Sequence, residues 1–458
     1  MQLVEFVPPA KHPLWKLCLQ MGITDVIVKV NPALTGLPDP WRYETLKQIV
    51  DGLKAEGLKV VGLEGDPFDM SPIKEFGSAA GGRDAGGSAA NGRVVNGRDA
   101  RCPREGAANG QDARWPRVVT CQAGPTGVTP VGAREEALAH YRELLESMAK
   151  LGIKLLCYNF MVGPGWSRTG VRPVRGGALA TYFNKDEYEA KFRGTAGSTG
   201  VPPVECGGGA PAANGQDARC PREDGLFLPK DQVWANYEYF IKAVMPTAEK
   251  VGVRMGLHPD DPCLPSLGGY ARIFETVADY DRAYAIYPSP SNAVTFCQAN
   301  FKLMITPCRN GQDARCPRAG DANGQDARCP REEMCQTGPT GVPPVGGGRA
   351  GTTGVPSVDL AGVARHFGTR IAFIHIRDVE GDKNDFTELF HDQGTTDQFA
   401  LMRTYRELGL DVPVRGDHVP EMEGARKLVE DAIPGYFNMG RLFANGYLKA
   451  LLKGTEGC

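Results

Sequence analysis

Residue types that hold divalent cations recur at matching places in the second half of the chain. In "VRMGLHPDD" (253–261), Arg254, His258 and Asp260 alternate with Val253, Met255 and Leu257. His258 therefore stands near the C-terminal end of an extended segment. Further on, "AVTFCQA" carries Cys297, "IAFIHIR" carries His375 and Arg377, and "VPVRGDH" carries Asp417 and His418. Two imidazoles, a thiolate and a carboxylate suit a divalent transition metal better than calcium or magnesium, which prefer all-oxygen shells. A six-coordinate ion such as Mn2+ or Fe2+ would keep positions for a substrate, whereas tetrahedral zinc would be filled by the four ligands. Taken singly, each residue reads as well as a buried thiol, a hydrogen-bonded core histidine or a strand terminator. Their joint placement carries the metal reading, because four polar groups converging without a partner are costly to bury.

Elements that could position these residues alternate regularly. Strand-like runs occur at 3–7, 25–30, 59–65, 153–160, 253–259, 293–299, 371–377 and 412–418. Helix-like stretches such as "PWRYETLKQIVDGLKAEGL", "REEALAHYRELLESMAKLG" and "DQVWANYEYFIKAVMPTAEKVG" lie between them. Gly57, Gly152, Gly252 and Gly409 fall just before a strand, where a helix C-terminus needs a left-handed residue. The alternation predicts an α/β fold, a (β/α)8 TIM barrel, with a doubly wound open sheet as runner-up. In a barrel, the His, Cys, His and Asp segments are four consecutive strands opening at one mouth.

Three blocks, at about 78–132, 194–224 and 308–357, break this pattern. They contain "NGQDARCPR" at 214–222, 310–318 and 323–331, with near copies at 96–104 and 109–117, and "TGVPPV" at 199 and 340. Their spacing is irregular, so they do not mark a solenoid. They lack periodicity and apolar content, which predicts irregular or flexible insertions in one barrel domain spanning 1–458. Each is expected to follow a strand and precede a helix, on the loop-tolerant face where barrel sites lie. The codons AAC GGG CGG GAC GCC CGT for Asn96–Arg101 have a reverse complement that reads TGVPPV. The two peptide repeats can thus be two strands of one inverted DNA repeat, which the gene's nucleotide sequence would test. Eight of the thirteen cysteines lie in these blocks without paired C-x-x-C knuckles, so the blocks do not read as zinc ribbons.

Composition excludes several classes. A net charge of −2 gives no footprint for nucleic acid, and "MQLVEFVPPAKHPLWKL" lacks the apolar run of a signal peptide or membrane span. The expected location is the cytoplasm, the cysteines are expected to be thiols, and the expected partner is a small molecule rather than nucleic acid or membrane. The sequence leaves homo-oligomer formation open.

The stretches "CYNFM…WSRT" (157–169), "GLHPDDP" (256–262), "TFC" (295–297), "FIHIRDV" (373–379), "VRGDH" (414–418) and "PGYFNMGRLFANGYLKAL" (434–451) resemble the mannonate dehydratase family, which has a xylose-isomerase-like barrel. The resemblance implies dehydration of D-mannonate to 2-keto-3-deoxy-D-gluconate in hexuronate breakdown, with Mn2+ or Fe2+. It implies His258, Cys297, His375 and Asp417 as metal ligands. It also implies His418 and Tyr436 as acid/base residues, with Arg168 and Arg377 near the sugar acid. Which of His418 and Tyr436 is acid and which base stays open, and Tyr436 reads equally as a packing aromatic beside Pro434-Gly435. The chain departs from the family pattern at "VGPG" (162–165), at Asp378 and at "VPEMEG" (419–424). The alternatives are a sugar isomerase or epimerase on the same barrel, a metal-dependent nuclease, and a barrel whose metal is only structural. A thiolate ligand argues against the first and the charge balance against the second.

Overall fold

A computed structural model describes residues 1–77, 131–197, 227–308, 359–425 and 434–457. Most of the three repeat-bearing blocks lies outside the described residues.

Nine strands form one parallel sheet: β1 (Gln2–Leu3), β2 (Glu5–Val7), β3 (Asp25–Val28), β4 (Lys59–Glu64), β5 (Leu155–Tyr158), β8 (Arg254–Leu257), β11 (Asn292–Cys297), β12 (Ile371–Ile376) and β15 (Pro413–Gly416). Their order is β1-β15-β12-β11-β8-β5-β4-β3-β2. β1 and β2 are one strand interrupted at Val4: β1 pairs with β15, β2 pairs with β3, and Val4 N donates to Val414 O at 2.9 Å. Counting that pair once gives an eight-stranded barrel, the expected architecture. Seven of the eight strands match the expected runs with every end within two residues, and the first is split.

Two cores sit on opposite faces of the sheet. Val26, Val28, Leu63, Leu156, Leu257 and Ile374 pack outward against helices such as Tyr43–Ala55, Val131–Lys150 and Lys230–Val251. Val4, Ile27, Leu155, Cys157, Ala293, Ala372 and Phe373 form the cluster inside the barrel. Side chains alternate along each strand, so the inward face continues toward the mouth at every second residue. Two residues after inward Phe373 comes His375, and Ala293 leads through Thr295 to Cys297. Gly256 is the step before His258 on β8, and a Cβ there would stand 2.6 Å from Thr295 Oγ1. The interior between β8 and β11 has room only for hydrogen at that point.

A second, antiparallel sheet has the order β13-β14-β7-β6, from β6 (Gly170–Pro173), β7 (Leu179–Asn184), β13 (Val379–Asp382) and β14 (Asp385–Glu388). A two-stranded ribbon joins β9 (Ser266–Leu267) to β10 (Tyr270–Ala271). These short strands have no counterpart in the sequence expectations. They are two to six residues long, and β14 pairs with β7 about 200 residues away, which no local pattern reveals.

The insertions follow helices rather than strands. The described segment before the first contains helix Ser71–Lys74, the second overlaps helix Lys185–Gly197, and the third follows helix Gln298–Ile305. All three still fall within β-to-α connections of the barrel. Among the described residues, no helix is long and apolar enough to cross a membrane, and Cys18, Cys157, Cys263, Cys297 and Cys308 are free thiols.

Candidate metal centre and acid–base pair

His258, Cys297, His375 and Asp417 converge, with one ligand atom from each lying within 4.8 Å of all the others. They come from the ends of β8, β11, β12 and β15, four neighbours in the sheet. His375 and Cys297 are fully buried and Asp417 is 2% exposed.

The protonation states suit a cation site. Burial lowers both His258 and His375, the latter to about 4 with Arg415 adding to the effect, so both imidazoles stay neutral. His375 Nε2 accepts from Arg415 Nε at 3.2 Å, so a metal at Nδ1 would have to displace the proton there. His258 Nδ1 is 2.8 Å from Pro259 O, which fixes the proton on that nitrogen and leaves Nε2 free. Burial alone would raise Asp417, but His418, Arg415, His375 and Arg377 outweigh it and hold the carboxyl well below its ordinary range. Burial pushes the Cys297 thiol up to about 12, and it donates to Asn300 Oδ1 at 2.8 Å. A metal would therefore have to displace that proton. His375 Nδ1 is buried without a hydrogen-bond partner, 3.8 Å from Asp417 Oδ2. That orphan nitrogen facing a carboxylate is what a coordinated ion would satisfy.

Beside the four lies the proton-handling pair. His418 Nε2 is 3.1 Å from Tyr436 Oη, and the histidine is 4% exposed. His418 Nδ1 lies 2.8 Å from both Glu388 Oε1 and Arg377 Nη1. Protonated, Nδ1 donates to the carboxylate; deprotonated, it accepts from the guanidinium. Either tautomer is supported, so Nε2 can take a proton or give one. The backbone at His418 has φ +24°, in a region non-glycine residues rarely occupy. Burial and the nearby Asp417 raise Tyr436, so it is held as the neutral phenol.

Arg168 and Arg377 are brought together, but facing acids rather than open space. Arg168 makes a two-pronged contact with Asp261 at 2.6 and 2.9 Å and reaches Glu388 at 2.6 Å. Arg377 reaches Asp261 at 2.9 Å and Asn300 Oδ1 at 2.8 Å. Both are buried. Glu388 also accepts from Thr181 on β7, so the second sheet is tied directly to His418. Asp378 is engaged as well, by Lys302 Nζ at 2.5 Å and by Thr396.

A cavity of about 690 Å³ opens onto this cluster, lined among others by His258, Asp417, His418, Tyr436 and Trp166. Its opposite side is built by residues near β2–β5, including Lys29, Glu64, Asp66 and Lys74. Neither Arg168 nor Arg377 lines it. Asp261, Glu388, Glu64, Arg415 and Lys29 went unnoticed in the sequence. For Asp261 a signal was present, since it sits in the "HPDDP" stretch that carries the resemblance. Strand parity would also have placed Lys29, two residues beyond inward Ile27.

Residues 126–307 and 349–457 match the family described as D-mannonate dehydratase (UxuA). A mannonate dehydratase of Endomicrobium trichonymphae is 25% identical over 324 residues, 66% of this chain and 70% of that protein. One from Bacillus subtilis (strain 168) is 26% identical over 332 residues, 70% of this chain and 76% of the other. The crystal structure of mannonate dehydratase from Streptococcus suis serotype 2 shares the fold, with a TM-score of 0.61 and 18% identity, covering 99% of this chain and 95% of that one.

Proposed function

The chain belongs to the mannonate dehydratase family of hydro-lyases, and on that premise we propose that it converts D-mannonate to 2-keto-3-deoxy-D-gluconate and water, with Mn2+ or Fe2+ held by His258, Cys297, His375 and Asp417. The observation that carries the reading is the convergence of those four donors within 4.8 Å beside an open cavity. When bound, the divalent cation would supply Lewis-acid stabilisation of charge building on the substrate's carboxylate.

The protein's own part is proton transfer. The C2 proton leaves, the C3 hydroxyl departs as water after taking up a proton, and the enol becomes the ketone. His418 Nε2 and Tyr436 Oη, 3.1 Å apart, are the groups placed to remove one proton and deliver the other. Arg377 and Glu388 keep the imidazole oriented through either half of that exchange. Arg168 holds Glu388 and Asp261 in place and acts on the sugar acid through them.

Incubating Mn2+-loaded protein with D-mannonate and assaying for the 2-keto-3-deoxy acid tests the reading. Formation of that product supports it. Absence of product from every hexonate tried, together with isomerised ketose or aldose sugars, would replace it with an isomerase.

A further inference from the structure

If the substrate is a sugar acid, as proposed above, its carboxylate calls for a cationic side chain beside the bound metal, and the two arginines implied for that task are committed to carboxylates of the protein. Arg168 and Arg377 are buried against Asp261 and Glu388 and lie off the cavity. Among the described residues, the lysines and arginines that line the cavity are Lys29, Lys74, Arg415 and Arg441. Lys74 is paired with Asp66 at 2.7 Å, Arg415 with Glu64 at 2.7 Å and Asp417 at 3.0 Å, and Arg441 with Glu5 at 3.3 Å. Lys29 has no ion pair or hydrogen bond among the described residues. It is partly exposed, and a Cβ on Gly65 would stand 3.2 Å from its Cε, so the glycine leaves room for its stem.

Position adds to charge. Lys29 follows β3 by one residue and shares the inward face of Ile27. In the sheet order β3 belongs to the half formed by β2–β5, across the barrel from β8, β11, β12 and β15. It also lies outside the residues matched to the family.

We infer that Lys29 is a specificity-determining residue, the cation on the far wall that recognises the carboxylate of the sugar acid and separates charged from neutral sugars. A lysine suits that role, being a point charge on a flexible stem that can follow a ligand.

The test uses the full-length, Mn2+-loaded protein and its Lys29→Met and Lys29→Arg variants. Steady-state dehydration of D-mannonate gives kcat and KM, and calorimetry gives the affinity for D-gluconate and for uncharged D-glucitol. Lys29→Met should raise KM and weaken D-gluconate binding by about tenfold or more, with kcat changed much less and D-glucitol binding unmoved. Lys29→Arg should recover most of the loss. Gluconate affinity and KM within twofold of the parent in Lys29→Met would overturn the inference, as would a parent protein that binds D-glucitol as well as D-gluconate. If no variant forms product but Lys29→Met still loses gluconate binding, the dehydratase reading fails and the role of Lys29 stands.

Discussion

Across the wall built by β8, β11, β12 and β15, His375, Arg377, Arg415 and Asp417 are 2% exposed or less, and charge meets charge at 2.9 to 3.4 Å. On the facing wall, Asp66 is 36% exposed in its pair with Lys74, and Lys29 has no described partner. The first wall is a finished electrostatic network whose members hold one another in fixed directions, as groups must if they are to meet developing charge without reorganising. The second has kept solvent and an uncommitted cation, as a surface must if it is to take a ligand's charge. One barrel mouth thus divides preorganisation from recognition.

Removing a donor from the finished wall should have the largest effect. Cys297→Ala is expected to abolish both bound Mn2+, read by metal analysis, and turnover; activity that survives would take the sulfur out of the site. Next, Asp261→Asn strips a carboxylate from two buried arginines and should cost about 3–5 kcal/mol of stability, measured by chemical denaturation.

Glu388→Gln should lower kcat by roughly tenfold to a hundredfold by loosening His418, with KM moved less. It should also change acid stability. Burial alone would raise Glu388, but His418, Arg168 and Arg377 hold it at about 2, below its ordinary 4.5. A carboxyl depressed on folding gives stability that is complete above about pH 4.5 and is lost as pH falls toward 2. The variant should therefore lose less stability than the parent over that window; identical slopes would remove Glu388 from the network. The smallest effect belongs to the open wall: Asp66→Asn should cost only about 1–2 kcal/mol, because Asp66 is partly exposed and buried Lys74 keeps Asn159 Oδ1 at 3.1 Å. A cost equal to that of Asp261→Asn would erase the contrast between the walls.

The barrel and the four converging donors were legible because both rest on period two. A run such as "IAFIHIR" states which residues face inward, and equal placement in successive runs puts their ends side by side. The acids that complete the site were not legible in the same way. Glu388 meets Arg168 across 220 residues, and Glu64 meets Arg415 across 351. Glu388 comes from a sheet whose strands are only four to six residues long, too short for their alternation to stand out. The family resemblance implied the arginines near the sugar acid, and their pairing with Asp261 and Glu388 was hidden because those carboxylates come from distant segments.

The interrupted first strand bears on how the molecule is made. β1 is held by residues 413 and 414, so the barrel closes only after about 410 intervening residues have been added. At roughly 5–20 residues per second that takes on the order of 20–80 s. Throughout that interval the leading strand has β3 on one side and an open hydrogen-bonding edge on the other. During its own synthesis, then, this protein passes through a prolonged half-barrel stage, when it is most exposed to pairing with another nascent chain and has most to gain from a chaperone.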